Sequence, residues 1–338
     1  MLRPYVGELL YSWLARIAAL YRVSLSELFK FYVSLWDLCV APSPAVLLFL
    51  AEITRLSSEA VQRLTISATG IAQSWWNIRQ VTPDAFSPDM EYQYQPNVMF
   101  CRLCLWHDVI SQGNEFLRKE WMVCIPTICP IHRVPMEDHC WNCLSGEFPI
   151  VVNTSRGFRL VCSRCGHQLA TSEMPKKAAL IPHMEVLQRF ESALSRALRN
   201  EGSLQFPGAS VGPTFFLQTI EDLLWLLTRP GEGLDQFFVH RLNDTVVRLP
   251  RRLYRNPGAR PWLGDFPIQI RRGLIAHLAA LAGGSAIRHR LFAFPGERYV
   301  LRDALEILYP PDAKDFERRL RAWPQMLQTL VFEPHYTY

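Results

Sequence analysis

Apolar residues recur at helical spacing along most of this chain. They first do so from Leu9 to Leu20, and the pattern breaks at Tyr21-Arg22-Val23. Ser24 and Glu27 then match a capping box, in which each side chain bonds the backbone amide of the other residue. They predict a second helix whose apolar face continues to Tyr32. Two helices joined by three or four residues form a helix-turn-helix-like unit.

A second helical pair is predicted downstream of the first. One helix covers Ala45 to Thr54, and Ser57 caps another that continues to Leu64. The stretch from Thr82 to Pro96 contains three prolines and shows no period. We therefore interpret it as a linker that closes an N-terminal helical domain over residues 1–95.

The C-terminal half also shows helical periodicity, which predicts a helical domain over residues 176–338. No apolar stretch there or elsewhere reaches the length of a transmembrane helix. The predicted C-terminal helices cover residues 183–200, 214–228, 271–281, 298–308 and 312–323.

Eight of the nine cysteines lie between Cys101 and Cys165, and seven of them form four close pairs together with one histidine. Two residues between ligands allow a tight turn to present both side chains to one tetrahedral ion, and a second pair completes the shell. The pattern therefore predicts two tandem zinc-ribbon or knuckle modules over residues 96–175, holding two Zn2+ per chain. The intervening 24 and 18 residues leave room for a short hairpin in each module. The pairs are Cys101-x2-Cys104 with Cys129-x2-His132, and Cys140-x2-Cys143 with Cys162-x2-Cys165.

Disulfides and a catalytic zinc explain the cysteines less well. Arg3, Pro4 and Glu8 interrupt the apolar run that a secretory signal needs, and the odd number of cysteines suits a reducing cytoplasm. A catalytic zinc keeps one position open, and the deaminase pattern H-x-E with P-C-x-x-C is absent. Cys124 remains an alternative to Cys129 as a ligand, although we expect it to be a small buried thiol.

Positive charge is concentrated in the last third of the chain. The net charge is +5 over 338 residues, and residues 239–338 hold 16 basic and 9 acidic side chains. Arginines there alternate with aromatic residues, a combination that grips phosphates and stacks on bases, although a solvated basic loop has the same composition. The candidate nucleic-acid-binding residues are Arg248, Arg251, Arg252, Arg255 and Arg260.

The first two helices carry an aromatic and nearly neutral surface, unlike a helix that reads bases. This composition favours protein contact, and we expect the face with Trp13, Arg16, Phe29 and Tyr32 to provide it. No Walker A, G-x-S-x-G, H-E-x-x-H or dinucleotide motif is present, so the chain is predicted not to be an enzyme. The fold class is mainly α with small β elements.

The motifs together resemble the TniQ family, which includes TnsD. The N-terminal segment Pro4-Tyr5-x-x-Glu8-x-x-x-Ser12-Trp13-Leu14-x-Arg16-Ile17-Ala18 resembles the start of these proteins. Three features of the cysteine region resemble them as well: Phe100-Cys101-x-x-Cys104-Leu105, Cys129-x-x-His132-x-x-Pro135-Met136, and the two later pairs that end in Gly166-His167-Gln168-Leu169. The resemblance covers about residues 1–170.

The resemblance implies a non-enzymatic target-selection adaptor for Tn-type transposition. Members recognise a target DNA site or an RNA-guided CRISPR effector complex such as Cascade, in some cases as homodimers. They then recruit a AAA+ transposition regulator of the TnsC or TniB type. We expect the N-terminal face to bind either this regulator or the partner targeting complex. Two alternatives stay open: a sequence-specific zinc-containing DNA-binding regulator, and a purely structural assembly subunit.

Overall fold

The structure is a computed structural model of the 338-residue chain. It describes residues 2–29, 34–81, 93–173, 184–201, 204–206, 209–227, 263–282, 318 and 321. The chain divides into two compact units, of which unit 1 comprises residues 1–179 and 262–268 and unit 2 comprises residues 180–261 and 269–338. No helix within the described ranges is both long and apolar enough to cross a bilayer.

Unit 1 contains helices and two antiparallel hairpins. Its described helices are α1 (Leu10–Leu20), α2 (Leu25–Phe29), α3 (Leu35–Cys39), α4 (Pro44–Thr54), α5 (Ser58–Gln62) and α6 (Arg102–Gln112). Its strands are β1 (Ile78–Val81), β2 (Gln93–Pro96), β3 (Ile150–Thr154) and β4 (Gly157–Val161), paired as β1 with β2 and β3 with β4.

The two helices predicted at the start of the chain are present, and the second of them is capped as expected. Every residue from Leu10 to Ala18 in α1 is buried. The Glu27 amide donates to Ser24 Oγ at 3.1 Å, and the Ser24 amide donates to Glu27 Oε2 at 2.6 Å, which is the predicted capping box. α2 is described only to Phe29, and its five residues do not establish a DNA-reading helix-turn-helix.

The second helical pair is also present, with one boundary changed. Ser57 caps α5 by accepting a hydrogen bond from the Ala60 amide at 3.1 Å, as expected. The helix ends at Gln62 rather than Leu64. The carbonyl of Leu64 instead accepts a hydrogen bond from the Leu10 amide at 2.9 Å, so this turn packs against the start of α1.

Two predictions about the middle of the chain are wrong. The supposed linker up to Pro96 contains β2, which pairs with β1 from Ile78↔Pro96 to Val81↔Gln93, while residues 82–92 lie outside the described part. Pro96 is compatible with the strand because it sits at the end of a two-stranded sheet. The first gap between cysteine pairs holds α6 instead of a hairpin, whereas the second gap holds the expected hairpin β3–β4.

The expected domain boundary between residues 95 and 96 falls inside unit 1. The backbone before α1 pairs with the segment that follows α6: the Leu9 amide donates to the Leu117 carbonyl at 2.8 Å, and the Lys119 amide donates to the Gly7 carbonyl at 2.9 Å. Residues 262–268 belong to the same unit, since the Ile268 amide donates to Asp138 at 3.0 Å. The N-terminal helices and the cysteine region therefore share one core.

An ion pair between Glu8 and Arg16 lies inside this core. The two side chains are 0% and 2% exposed. Arg16 donates through Nε to Glu8 Oε1 at 2.9 Å and through Nη2 to Glu8 Oε2 at 2.6 Å. Ser12 donates to the same carboxylate at 3.0 Å and accepts from the Leu117 amide at 2.9 Å. Both charged groups are therefore paired and hydrogen-bonded, as buried charges must be.

Trp13 and Arg16 do not form the exposed protein-contact face that the sequence predicted. Trp13 is 1% exposed and donates through Nε1 to the Leu2 carbonyl at 2.9 Å. That part of the prediction is wrong, because periodicity alone does not reveal which polar side chains of a helix close an internal network. Tyr32 and the side chain of Phe29 lie outside the described part, so for these two residues the prediction stays a prediction.

Unit 2 is described as three helices and one hairpin. They are α7 (Met184–Leu198), α8 (Pro213–Leu227) and α9 (Ile268–Ala282, whose first residue belongs to unit 1), with β5 (Leu204–Phe206) paired to β6 (Ala209–Val211). These helices confirm the predicted segments 183–200, 214–228 and 271–281 to within a few residues. Apart from Arg318 and Arg321, the two later predicted helices lie outside the described residues.

We predict that Glu8→Ala destabilises the folded chain by about 3–5 kcal/mol, because it leaves the Arg16 charge buried and unpaired. Glu59→Ala is the matched control, since its pair with Arg63 is 79% and 65% exposed, and we expect a change of about 1 kcal/mol or less. Urea unfolding of the full chain in zinc-containing buffer measures both. Equal effects of the two substitutions would show that the buried pair does not stabilise unit 1.

Candidate functional site

The first candidate site brings together Cys101, Cys104, Cys129 and His132, whose ligand atoms all lie within 4.8 Å of one another. Cys104 Sγ lies 3.6 Å from Cys129 Sγ and 3.3 Å from His132 Nδ1. Phe100 and Glu137 exchange two backbone hydrogen bonds, of 2.8 and 2.9 Å, which fix the start of α6 beside the Cys129–His132 turn. The three sulfurs belong to buried residues.

The second candidate site brings together Cys140, Cys143, Cys162 and Cys165, again with all ligand atoms within 4.8 Å. Sγ of Cys140 lies 3.7 Å from that of Cys165, and Sγ of Cys143 lies 3.6 Å from that of Cys162. The hairpin β3–β4 separates the two pairs in sequence and returns Cys162 to the Cys140 turn. Here Cys143 is half-buried and Cys165 is exposed.

Three of the four ligand pairs are built on the same turn. The backbone carbonyl of the first cysteine accepts a hydrogen bond, of 2.8 or 2.9 Å, from the amide four residues later, which belongs to Arg133, Leu144 or Gly166. Each of these three residues has a positive φ, of 54°, 58° and 69° respectively. Only the third is glycine, so Arg133 and Leu144 adopt a conformation that costs L-residues free energy. The fourth pair, Cys101 and Cys104, uses the first turn of α6 instead.

The distances in both clusters fit a tetrahedral zinc ion. Zinc–sulfur bonds of about 2.3 Å and zinc–nitrogen bonds of about 2.0 Å place neighbouring ligand atoms about 3.5–3.8 Å apart. In the two clusters, neighbouring ligand atoms (Sγ to Sγ, or Sγ to Nδ1 of His132) lie 3.3–3.7 Å apart. All nine cysteines are described, and none of them is in a disulfide. Both clusters can therefore hold a metal ion with all four positions supplied by the protein.

The thiols of the first cluster compete for protons. Hydrogen bonds from Cys101 and Cys104, in that order of importance, lower the pKa of Cys129 to about 2. Hydrogen bonding to Cys101 and Cys129, followed by burial, raises the pKa of Cys104. Without a cation the protein therefore favours one thiolate among neighbouring thiols, whereas a divalent ion stabilises several thiolates at once.

Cys124 does not join the first cluster. Its thiol donates to the Trp76 carbonyl at 3.0 Å, and its amide donates to the Trp75 carbonyl at 2.8 Å. It is a buried thiol, as expected, and not an alternative to Cys129. Among the nearby histidines, His139 bonds Asp138 at 3.0 Å and His167 packs edge-on against Trp141 at 4.2 Å, and neither belongs to a cluster.

Glu115 connects the two cluster regions. Its backbone follows α6, and its carboxylate accepts hydrogen bonds from the Leu160 amide at 2.8 Å and from Gln168 Nε2 at 2.7 Å. Arg159 Nε lies 3.7 Å away. Burial nevertheless raises the pKa of Glu115 to about 7, because desolvation outweighs these favourable contacts.

Gly157 permits the hairpin β3–β4 to approach this segment closely. It has a φ of +100°, and a Cβ at this position would lie 2.1 Å from the Gly113 carbonyl oxygen. Asn114 fills the neighbouring space and accepts a hydrogen bond from the Phe158 amide at 3.0 Å. Sequence inspection singled out neither Glu115 nor Gly157, and both act through contacts between distant segments.

The other predicted site residues fall outside the described part. Arg248, Arg251, Arg252, Arg255 and Arg260 all lie between residues 228 and 262, which the structure does not describe. Their assignment to nucleic acid stays a prediction. The described residues instead reveal exposed apolar side chains that the sequence analysis did not identify, among them Trp106 and Ile110 on α6 and Trp141 beside the second cluster.

Each of the two clusters brings four potential protein ligands together on a shared core, an arrangement typical of structural metal sites. Residues 1–136 match the model of the TniQ family. This part of the chain is therefore a TniQ domain, and it contains the Glu8–Arg16 network and the whole first cluster. No curated protein and no solved structure matched the chain.

The match associates the chain with transposition and target selection. Members of the family are non-catalytic adaptors, which supports a non-enzymatic role at the level of the family. The matched region ends at Met136, before the second cluster, whereas the resemblance in sequence was traced to about residue 170. The description of the second cluster and of the C-terminal half therefore depends on the structure and the sequence, without support from the family match.

We predict that Cys129→Ser lowers bound zinc by about one equivalent per chain, because it removes one of four ligands from a closed site. Cys124→Ser is the matched control and is expected to leave the stoichiometry unchanged, since its thiol bonds a backbone carbonyl. Metal analysis of the purified variants measures both. The opposite result would assign Cys124 to the metal.

We predict that Glu115 makes the folded chain less stable as the pH rises from about 5 to 7. The folded state retains a proton up to a pKa of about 7, whereas the unfolded state releases it near the ordinary value of 4.5. A one-proton difference changes the free energy of unfolding by about 1.4 kcal/mol per pH unit at most.

Glu115→Gln removes the titrating carboxyl and with it this pH dependence. The free energy of unfolding of the variant, relative to that of the wild type, should therefore increase between pH 5 and 8. Glu120→Gln, at an exposed carboxyl, is the matched control and should show no such trend. Urea unfolding at several pH values tests this. A stability difference between the wild type and Glu115→Gln that does not change with pH would contradict the raised pKa.

Proposed function

We propose that this protein is a target-selection adaptor for Tn-type DNA transposition. It links a target, either a DNA site or an RNA-guided CRISPR effector complex such as Cascade, to a AAA+ transposition regulator of the TnsC or TniB type. The observation that carries the proposal is the match of residues 1–136 to the TniQ family. In this chain the motif residues and the first cluster form one core. We further propose that it acts in the cytoplasm.

Both clusters are proposed to hold Zn2+, one per cluster. Cys101, Cys104, Cys129 and His132 would hold the first ion, and Cys140, Cys143, Cys162 and Cys165 the second. The ion supplies folding energy when bound, since its ligands cannot be assembled in the unfolded chain. The turns at Arg133, Leu144 and Gly166 orient the ligands, and the Glu115 contacts hold the second cluster's hairpin to the first cluster's helix.

The protein-contact surface is proposed to lie on α6 and the second cluster instead of α1. Trp106 and Ile110 are exposed and four residues apart, so they share one face of the helix. Arg102 lies one turn before Trp106, and its guanidinium is 5.8 Å from the ring of exposed Trp141. Aromatic residues and arginine are enriched at protein interfaces, which supports this face as a contact for the regulator, the targeting complex or a second copy.

The arginines between Arg248 and Arg260 remain the proposed contact with nucleic acid, because the positive charge of the chain is concentrated there. Two measurements separate this function from its alternatives. ATP-dependent recruitment of the AAA+ regulator distinguishes an adaptor from a DNA-binding regulator that has no part in transposition. Salt-dependent binding of duplex DNA distinguishes that regulator from a purely structural subunit.

We predict that a variant with glutamine at three of these positions binds DNA or a ribonucleoprotein target more weakly but still recruits the regulator. The substitutions are Arg251→Gln, Arg252→Gln and Arg255→Gln. On duplex DNA, each phosphate contact that is lost should reduce the slope of log affinity against log salt by about 0.9. The matched control exchanges Arg22, Arg55 and Arg156, three exposed arginines of unit 1, for Gln. Titrations at several salt concentrations and ATP-dependent pull-downs measure both properties.

An equal loss of target binding in the control variant would attribute the effect to total charge and not to this segment. If the Arg251, Arg252 and Arg255 variant binds the target normally but no longer recruits the regulator, the proposed roles of the two halves of the chain would be reversed.

A further inference from the structure

The two metal clusters differ in their exposure to solvent. Cys101, Cys104 and Cys129 of the first cluster are all buried, as are Cys140 and Cys162 of the second. In the second cluster, however, Cys143 is half-buried and Cys165 is exposed. Ligand cysteines are therefore exposed to solvent in the second cluster, whereas those of the first cluster are all buried.

Each accessible sulfur of the second cluster lies beside a buried one. The Cys165 sulfur is 3.7 Å from that of Cys140, and the Cys143 sulfur is 3.6 Å from that of Cys162. The first cluster contains an equally close pair, Cys104 and Cys129, at 3.6 Å. Proximity alone does not distinguish the clusters, so access decides which sulfurs react.

We propose that the second cluster is a redox-sensitive metal site that peroxides open, while the first cluster is resistant. This inference rests on the proposed occupation of both clusters by zinc. The Cys165 thiolate attacks one oxygen of hydrogen peroxide, which forms a sulfenic acid and expels hydroxide. The Cys140 thiolate then attacks the Cys165 sulfur and expels a second hydroxide, and both hydroxides are protonated to water. The two sulfurs supply the two electrons that reduce one peroxide, and the metal loses two of its four ligands.

Opening the second cluster affects a defined part of unit 1. Cys162 directly follows β4, and its amide donates to the His167 carbonyl at 2.8 Å, so the metal site fixes the end of the hairpin. Phe148 and Pro149 directly precede the hairpin. The Phe148 ring packs edge-on against Tyr11 of α1, and the Pro149 carbonyl accepts a hydrogen bond from the Tyr11 hydroxyl. Loss of the metal should loosen this hairpin, whereas the first cluster and the Glu8–Arg16 pair stay in place.

The test uses the full-length chain loaded with two zinc equivalents. A colorimetric chelator follows zinc release during treatment with hydrogen peroxide, and isotope-coded thiol trapping with mass spectrometry locates the oxidised cysteines. We expect one equivalent to leave about tenfold faster than the other, together with a disulfide between Cys140 and Cys165. Hydrogen exchange should increase in the hairpin β3–β4 but not in α1.

Cys165→His preserves a four-ligand site of the kind that His132 completes in the first cluster, and it removes the exposed thiol. Fast zinc release in this variant should slow by about tenfold. If the variant loads only one zinc, thiol trapping on the wild type still tests the order of oxidation without a substitution.

Equal release from both clusters, earlier oxidation of the first cluster, or release without a disulfide among the four second-cluster cysteines would overturn the inference. A wild-type chain that binds fewer than two zinc ions would overturn the metal assignment together with it. Failure to recruit a AAA+ regulator would overturn the proposed function alone, because zinc release does not depend on that partner.

Discussion

The buried ion pair between Glu8 and Arg16 is the interaction on which the core of unit 1 depends. Two opposite charges at 0% and 2% exposure are tolerated only when their geometry and hydrogen bonds offset the loss of hydration. Here the carboxylate accepts from both Arg16 and Ser12, and Ser12 in turn accepts from the Leu117 amide. One internal network therefore connects the chain before α1, the helix itself and the segment that enters the cysteine region. This arrangement explains why Glu8, Ser12 and Arg16 stand in the motif at intervals of four residues.

The two metal clusters extend this core through short turns and through the hairpin β3–β4. Two of these turns place non-glycine residues, Arg133 and Leu144, at positive φ. A metal bound by four protein ligands can hold such turns in place, because breaking one turn then also breaks coordination. Glu115 adds a connection between the clusters, so the second cluster does not behave as an independent module. Burial raises the pKa of the Glu115 carboxyl, whereas Cys165 leaves one ligand position of the second cluster exposed to solvent.

The distribution of buried and exposed residues changes how the TniQ motif is interpreted. Trp13 and Arg16 belong to the core, so their presence in the motif reflects the stability of the domain and not direct contact with a partner. Trp106, Ile110 and Trp141 lie on the surface and offer the apolar and aromatic area that protein contacts use. The domain thus separates the residues that define the family from those available to a partner.

The sequence by itself determined the elements that depend on local chemistry. The spacing of apolar residues was sufficient for α1, α4 and α8, the Ser24–Glu27 pair for the cap of α2, and the C-x-x-C and C-x-x-H pairs for the grouping of both clusters. Only the tertiary structure decided the rest, because the deciding contacts join residues that are distant in sequence. Trp13 is buried and bonds the carbonyl of Leu2, β2 exists only through its pairing with β1, and Cys124 is excluded from the metal by its bond to Trp76. Periodicity and spacing report on neighbours along the chain, whereas burial, register and the selection of one ligand among several depend on neighbours in space.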